Sequence, residues 1–189
     1  SLTTAELGEV LEIGLLSLVD LLALNEDEAA ALVGAPFPAG DPEAEAFLQR
    51  LSSAVPALRA GVRLVVTAGA RGAFAFDGTA WAHAPGLPVA VASTAGAGDA
   101  LLGGVLAGLA AGLPFVPAGH SRASLAGRPL SSALELGALV AAFKVTSPHT
   151  IPPDLSLDAL LAFAREHGVA FGEAFRRLLP ADEEQRHAS

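Results

Sequence analysis

The sequence predicts an α/β fold with a largely parallel sheet, because strand-like and helix-like segments alternate along its 189 residues. The mainly apolar runs Val19–Leu24 and Val62–Thr67 are typical of buried strands. Other segments, such as Leu7–Leu18, repeat their apolar residues at the helical spacing. We expect one domain over residues 1–180 and a charged, flexible tail at 181–189.

Capping and stop signals define the predicted helices. Asn25 is a favourable N-cap and Gly34 a favourable terminator, while Asp41 followed by Pro42 is a typical helix start. The expected helices are Leu7–Leu18, Asn25–Val33, Asp41–Ala60 with a kink at Pro56, Gly98–Ala111, Ser131–Val145, and two that begin near Ser156 and Val169.

Turn residues separate the remaining predicted strands. Asp77-Gly78 between Phe74–Phe76 and Thr79–Trp81 is a good β-hairpin signal. The other expectations are a tight turn at Gly69 and Gly72, a strand over Pro88–Ala92 and a loop over residues 113–130.

The composition narrows the class of protein. The chain is 52% hydrophobic and carries a formal net charge of −9, which disfavours a surface for nucleic acid. No apolar run is long enough to span a bilayer, and no signal peptide is visible, so we predict a cytoplasmic protein. Cysteine is absent, which excludes thiol nucleophiles and cysteine-ligated metals. A phosphate site would therefore be local, built from backbone N–H groups and one or two cations.

The segment Gly96-Ala97-Gly98-Asp99 begins a predicted helix and carries the strongest functional signal. The N-terminus of a helix gathers unpaired N–H groups and positive dipole, and glycines let an anion approach the main chain closely. A carboxylate in the same turn opposes simple anion binding but suits a base that acts beside a bound phosphate. The structural alternative is ordinary capping by a small-residue loop with an acidic first turn.

Two other segments follow predicted strands. Asn25-Glu26-Asp27-Glu28 is interpreted first as a capping box and alternatively as a polar pair that holds Mg²⁺-bound water. Thr67 to Gly72 is either a strand-end turn or a backbone approach to a nucleotide, with Arg71 near the phosphates.

These three segments, in this order, resemble the ribokinase-like (phosphofructokinase-B type) carbohydrate kinases over about residues 7–153. The resemblance implies a three-layer α/β/α fold, Mg-ATP as phosphoryl donor, and a hydroxyl of a sugar, nucleoside or related small molecule as acceptor. It implies Asp99 as the catalytic base and the N–H groups of Gly96, Ala97 and Gly98 as an anion hole. It further implies a nucleotide site lined by Thr67, Gly69, Arg71, Gly72 and His149, with metal and phosphates organised indirectly by Asn25 and Glu28.

The chain departs from the family pattern at three places. Ser93 stands where the family usually has an Asp, whose segment helps to form a monovalent-cation site in some members, so the resemblance does not carry potassium dependence over to this chain. Pro148 and His149 replace a Gly-Ala pair near adenine; a solvent-exposed loop His is the simpler interpretation. The N-terminal strands, the lid and the acceptor-binding residues of the family are expected to be missing here. This predicts either a fragment of a larger protein, lacking most of the acceptor site, or a chain whose N-terminal half is separate. A homo-oligomer would cover the apolar surface that the missing part leaves exposed.

Two alternatives remain open from the sequence. One is a degenerate kinase remnant that binds nucleotide or a partner chain without turnover. The other is a vitamin-precursor kinase of the same fold.

Overall fold

The structure, a computed structural model, describes residues 9–10, 12–54, 61–118, 125–127 and 129–179. The chain divides into two compact units, one of residues 1–69 and 73–83 and the other of residues 70–72 and 84–189. The predicted domain over residues 1–180 thus spans both units.

The first unit is built on a sheet with the strand order β1-β2-β3-β4. Its strands are β1 (Leu21–Leu24), β2 (Arg63–Thr67), β3 (Ala73–Phe76) and β4 (Trp81–Ala84). β1 and β2 are parallel, whereas β2 and β3 are antiparallel with Leu64 opposite Phe76. The described sheet is therefore mixed, because the hairpin that follows β2 adds its strands beside the parallel pair.

Two helices cover this sheet, α1 (Glu26–Val33) and α2 (Asp41–Ala54), and a 3₁₀ helix at Leu15–Leu18 precedes β1. Their apolar residues share one core with the strands, which includes Leu24, Leu51 and Leu64 at 2% exposure or less. The start and end of α1 are confirmed, since Asn25 is its N-cap and Gly34 its left-handed C-cap. Residues 55–60, with the predicted kink, and part of Leu7–Leu18 lie outside the described residues.

The predicted hairpin is confirmed, with a longer loop than expected. Asp77 Oδ1 accepts hydrogen bonds from Thr79 N, Thr79 Oγ1 and Ala80 N, so residues 77–80 form a turn and the second strand begins only at Trp81. A short side-chain acceptor that bonds the following backbone is a common way to close such turns.

The second unit contains four helices among its described residues: α3 (Ala97–Ala110), α4 (Ala133–Val145), α5 (Leu157–Glu166) and α6 (Glu173–Arg176). α3 and α4 pack closely, because glycines meet at their contact. A Cβ placed on Gly104 would lie 2.8 Å from the Cα of Gly137. No helix within the described residues combines the length and apolar character that a membrane crossing requires.

The strand predicted over Pro88–Ala92 is wrong. No strand occurs there, the side chain of Val91 is 60% exposed, and the N–H groups of Ala92 and Ser93 both donate to the carbonyl of Val145. Proline also removes one ladder donor from this segment. This run has therefore folded as an irregular connection, whose last residues are bonded to the end of α4.

The helix predicted from Val169 is also wrong, since only Glu173–Arg176 is helical. Residues 169–172 instead pair with the chain near Leu130, whose N–H donates to Ala170 and whose carbonyl accepts from Gly172. A long-range backbone contact overrides the local preference here. The predicted tail at 181–189 lies outside the described residues.

Candidate functional site

The turn before α3 requires glycine at position 96. Ala97 N donates to Thr94 O at 3.1 Å, and Gly96 has φ 78° and ψ 6°, values typical of the third residue of a type II turn. A Cβ at Gly96 would lie 2.9 Å from Thr150 Cγ2 and 3.1 Å from Thr150 O. Gly96 is therefore explained by the turn and by the close approach of residue 150.

The first turn of α3 presents N–H groups without acceptors. Ala100 N donates to Gly96 O at 2.9 Å, as expected for the first intrahelical bond. Among the described residues, nothing accepts from the N–H groups of Gly96, Gly98 or Asp99. The predicted donor Ala97 is engaged in the turn, so the available set includes Asp99 N instead. This set lies at the positive end of the helix, where anions are favoured.

A cavity of about 590 Å³ adjoins this helix start. Its polar groups come from Asp99, Lys144, Thr150, Ser156 and the backbone of Gly96, whereas the rest of its wall is mainly apolar. The apolar wall consists of Ala100, Gly103, Gly104, Ala107, Val140, Ile151, Pro152, Leu155, Leu157 and Leu160. Asp99 is exposed, so its carboxylate is accessible from the cavity.

Lys144 is a site residue that the sequence reasoning missed. It is 1% exposed, lies at the end of α4 and donates from Nζ to Ser93 O at 2.9 Å. A signal was available, because Lys144 is the single lysine of the chain and interrupts the apolar run of residues 136–145.

The capping-box interpretation of the first motif is confirmed. Asn25 Oδ1 accepts from Glu28 N at 2.8 Å, and Glu28 Oε2 accepts from Asn25 N at 2.8 Å. Glu28 is buried in the first unit, with 6% exposure. Both side chains thus have a structural role at the start of α1, and their part in ordering a metal stays a prediction.

The second motif contains two different glycines. Gly72, at φ 87°, has no room for a side chain, because a Cβ would overlap the carbonyl oxygen of Ala84. Gly69, at φ 52°, has nothing within 4 Å of a built Cβ. The space beside Gly72 is therefore occupied by the protein's own backbone, whereas the space beside Gly69 is open.

The other predicted nucleotide-site residues occupy ordinary structural positions. Thr67 Oγ1 donates to Leu24 O at 3.5 Å, and Arg71 is half-buried at the end of a 3₁₀ turn and interacts within the chain. His149 is exposed, with its backbone N–H donating to Ser147 Oγ at 3.2 Å. The simple interpretation of His149 as an exposed loop residue is confirmed, and the cavity is lined by the residues that follow it.

A comparison with protein families shows to which family this chain belongs. The family described as pfkB family carbohydrate kinase matches residues 11–156, which include all three motifs and the loop between α4 and α5. The chain belongs to the pfkB family. A search of curated proteins finds no match.

Solved structures of pfkB-type fold agree with the described architecture. A Clostridium perfringens protein that has been assigned as a sugar kinase superposes with a TM-score of 0.65 at 21% identity, over 87% of this chain and 45% of its own. Aminoimidazole riboside kinase from Salmonella enterica gives 0.59 at 23%, over 85% and 47%. Ribokinase from Thermotoga maritima gives 0.52 at 24%, over 79% and 43%. The ribokinase-like fold is confirmed, and the chain spans less than half the length of these structures.

Proposed function

We propose that this chain carries the nucleotide site and the base of an ATP-dependent kinase that phosphorylates a hydroxyl of a sugar or nucleoside. One juxtaposition supports this proposal. Asp99, which is exposed and has an unengaged N–H group, lines one cavity together with a mainly apolar wall. The unengaged N–H group of Gly98 precedes it in the first turn of the same helix. Family membership supplies the reaction class.

The start of α3 suits the phosphates of ATP. Phosphoryl transfer depends on aligning the transferred group and on stabilising its charge. Backbone N–H groups can do both, because they donate hydrogen bonds from fixed positions. At Gly98 nothing lies within 4 Å of a built Cβ, so the main chain is open to an approaching oxygen. Mg²⁺ would arrive as part of the Mg-ATP substrate.

Asp99 is suited to take the proton of the acceptor. As the acceptor oxygen bonds to the γ-phosphorus, the bond from that phosphorus to the bridging oxygen breaks and ADP leaves. The hydroxyl proton passes to the Asp99 carboxylate. A carboxylate in the first turn of α3 lies next to the N–H groups that would hold the phosphoryl group.

The apolar wall suits the heterocyclic base of the nucleotide. A volume of about 590 Å³ lies within the range of about 300–1,000 Å³ found for small-molecule sites. Apolar side chains of α3, α4 and α5 would contact the faces of a ring system, with the polar helix start at the phosphate end. ATP use agrees with the cytoplasmic location predicted from the sequence.

The acceptor class rests on the family and its relatives. The Salmonella enterica relative was crystallised with aminoimidazole riboside and an ATP analogue. We propose a sugar or nucleoside alcohol for this chain on that basis. A panel of sugars and nucleosides, assayed for ADP formation with the full natural gene product, would identify the acceptor.

Calorimetric titration of the chain with Mg-ATP tests the nucleotide site. We expect binding by the wild type and a loss of about tenfold or more in Gly98→Val, because the added methyl groups would occupy the space of the phosphate oxygens. Ala110→Val, at the exposed far end of α3, is the matched control and should bind as the wild type does.

Two outcomes of this titration would contradict the proposal. A folded wild-type chain that binds no Mg-ATP would exclude the nucleotide site. Equal affinities for Gly98→Val and wild type, with unchanged circular dichroism, would exclude the start of α3 as the phosphate position.

A further inference from the structure

Lys144 is a buried cation in a molecule that has no other lysine. Its Nζ lies 2.9 Å from the carbonyl oxygen of Ser93, which is 51 residues away in sequence. Neither the turn nor the capping of α4 requires this side chain, since Thr146 N and Ser147 N already bond the last carbonyls of the helix. The position of Lys144 therefore needs an explanation beyond the local helix.

The contact completes a three-bond attachment of the chain that enters the site. Ala92 N and Ser93 N donate to Val145 O at 2.7 and 3.2 Å, and Lys144 Nζ donates to Ser93 O. Within the same segment, Ala95 N donates to Ser93 Oγ at 3.3 Å. Residues 92 and 93 are thereby held to the end of α4, immediately before the turn of residues 94–97.

Burying an ammonium is unfavourable unless its donors are satisfied. An ammonium has three donors, and within the described residues Lys144 has one acceptor, the Ser93 carbonyl. The end of a helix carries partial negative charge, which offsets part of the penalty. An apolar side chain of similar length would fill the same space without the cost of burying a charge.

The charge also stands beside the candidate phosphate site. Lys144 lines the cavity that contains Asp99, and its Cε would be 3.9 Å from a Cβ built on Gly96. No ion pair joins Lys144 to Asp99 in the described structure. The ammonium thus lies at the cavity wall and bonds the Ser93 carbonyl, immediately before the turn.

We propose that Lys144 is a positioning residue that acts as a tethered cation. Its ammonium holds the Ser93 carbonyl, fixes the turn that precedes α3, and so orients the N–H groups of Gly98 and Asp99 toward an anionic ligand. Only the identity of that ligand, the phosphates of ATP, rests on the function proposed above.

A tethered cation can be replaced by a free one of similar size. In Lys144→Ala the position of the ammonium becomes a space next to the Ser93 carbonyl. Ammonium or potassium ions should enter it and restore the turn, whereas tetramethylammonium is too large and cannot donate a hydrogen bond. The wild type should be indifferent to which of these ions is present.

Nuclear magnetic resonance tests this without any nucleotide. Protein labelled with ¹⁵N-lysine contains a single side-chain ammonium, whose protons should exchange slowly because the group is buried and hydrogen-bonded. In Lys144→Ala we expect the amide signals of residues 93–99 to shift, and ammonium chloride to return them toward wild type. Tetramethylammonium chloride at equal ionic strength should not. Arg165→Ala, which removes an exposed cation from α5, should leave these signals unchanged.

Affinity measurements add the link to function. Lys144→Ala should lose about tenfold in Mg-ATP affinity, about 1.4 kcal/mol, and should regain most of it in ammonium chloride. Lys144→Met should show the loss without the recovery, because its side chain fills the space. Lys144→Arg should retain part of the affinity.

Four outcomes would overturn the proposal. The first is a lysine signal that exchanges as fast as that of an exposed lysine, and the second is a folded Lys144→Ala whose signals do not respond to ammonium. The third is a wild type that itself needs added potassium for the native turn. The fourth is recovery in Lys144→Met equal to that in Lys144→Ala, because the ion would then act at another place. If the wild type binds no ATP, the nucleotide function fails while the magnetic resonance result still decides the role of Lys144.

Discussion

Asp99 has two physical reasons to stand in the first turn of α3. An acidic side chain there stabilises the helix through its dipole, by about 0.3–1 kcal/mol. A carboxylate exposed to the cavity can also accept the proton of an acceptor hydroxyl. The two roles differ in what they predict for catalysis, because only the second requires an ionisable oxygen.

Replacing Asp99 by Asn separates these roles. We expect Mg-ATP to bind Asp99→Asn as tightly as the wild type or more tightly, since one negative charge beside the phosphates is removed. Phosphoryl transfer should fall by about 10²–10⁴-fold, the usual contribution of a general base. Calorimetry measures the affinity for Mg-ATP. An assay of ADP release with the full natural gene product and its acceptor measures phosphoryl transfer.

Asp27→Asn is the control, because Asp27 is also acidic in the first turn of a helix but belongs to α1 in the first unit. It should change neither quantity. Transfer by Asp99→Asn at the wild-type rate would remove Asp99 from the mechanism.

The pair α3 and α4 shows why glycines recur in these two helices. Gly137 approaches Leu101 O, and a Cβ there would lie 2.6 Å from that oxygen and 2.7 Å from Val105 Cγ2. Gly103, one residue from the contact glycine of α3, has nothing within 4 Å. The close approach of the helices therefore requires glycine at position 137 but not at position 103.

Alanine substitutions at the two positions should have opposite effects on stability. Gly137→Ala should destabilise the chain by about 1–3 kcal/mol, because the helices must separate to admit the methyl group. Gly103→Ala should be neutral or stabilising by up to about 1 kcal/mol, from helix propensity alone. Urea unfolding monitored by circular dichroism measures both. Similar losses at both positions would mean that the helix contact does not limit the side chain at 137.

Helix ends account for two buried acids that resemble functional groups. Glu135 is fully buried, and its Oε2 accepts from Ser131 N and from the hydroxyls of Ser131 and Ser132 at 2.8–3.2 Å. Glu28 has the corresponding role at α1. These two buried carboxylates thus serve as helix caps, whereas Asp99, the carboxylate that lines the cavity, is exposed.

At the scale of the whole molecule, nucleotide binding should protect particular segments from hydrogen exchange. Addition of Mg-ATP should slow exchange at the start of α3 and in the segment 144–152, because Lys144, Thr150 and Ile151 of this segment line the cavity. At a Mg-ATP concentration near the wild-type Kd, the protection should be much weaker in Gly98→Val. Exchange measured by mass spectrometry resolves these peptides in the intact chain.

The same measurement tests the predicted role of Asn25 and Glu28. Slower exchange at the start of α1 on adding Mg-ATP would support their part in ordering metal and phosphates. Unchanged exchange there, with protection at α3, would leave them as a capping box alone.

Much of the local structure could be predicted from the sequence because it depends on neighbours a few residues apart. The N-caps Asn25 and Ser156, the terminator Gly34 and the hairpin at Asp77 all act through bonds within four residues. The strand predicted at Pro88–Ala92 failed because pairing depends on which strand lies alongside, and the end of α4 supplies the acceptor instead.

The sequence by itself determined the α/β class, the family motifs and the glycine-rich start of α3, since each is encoded in adjacent residues with definite backbone preferences. Only the tertiary structure decided which N–H groups remain available, that Gly72 faces its own backbone, and that Lys144 meets Ser93 across 51 residues. These depend on distances between segments far apart in the chain. Such distances follow from the packing of helices and strands, which no local pattern of residues specifies.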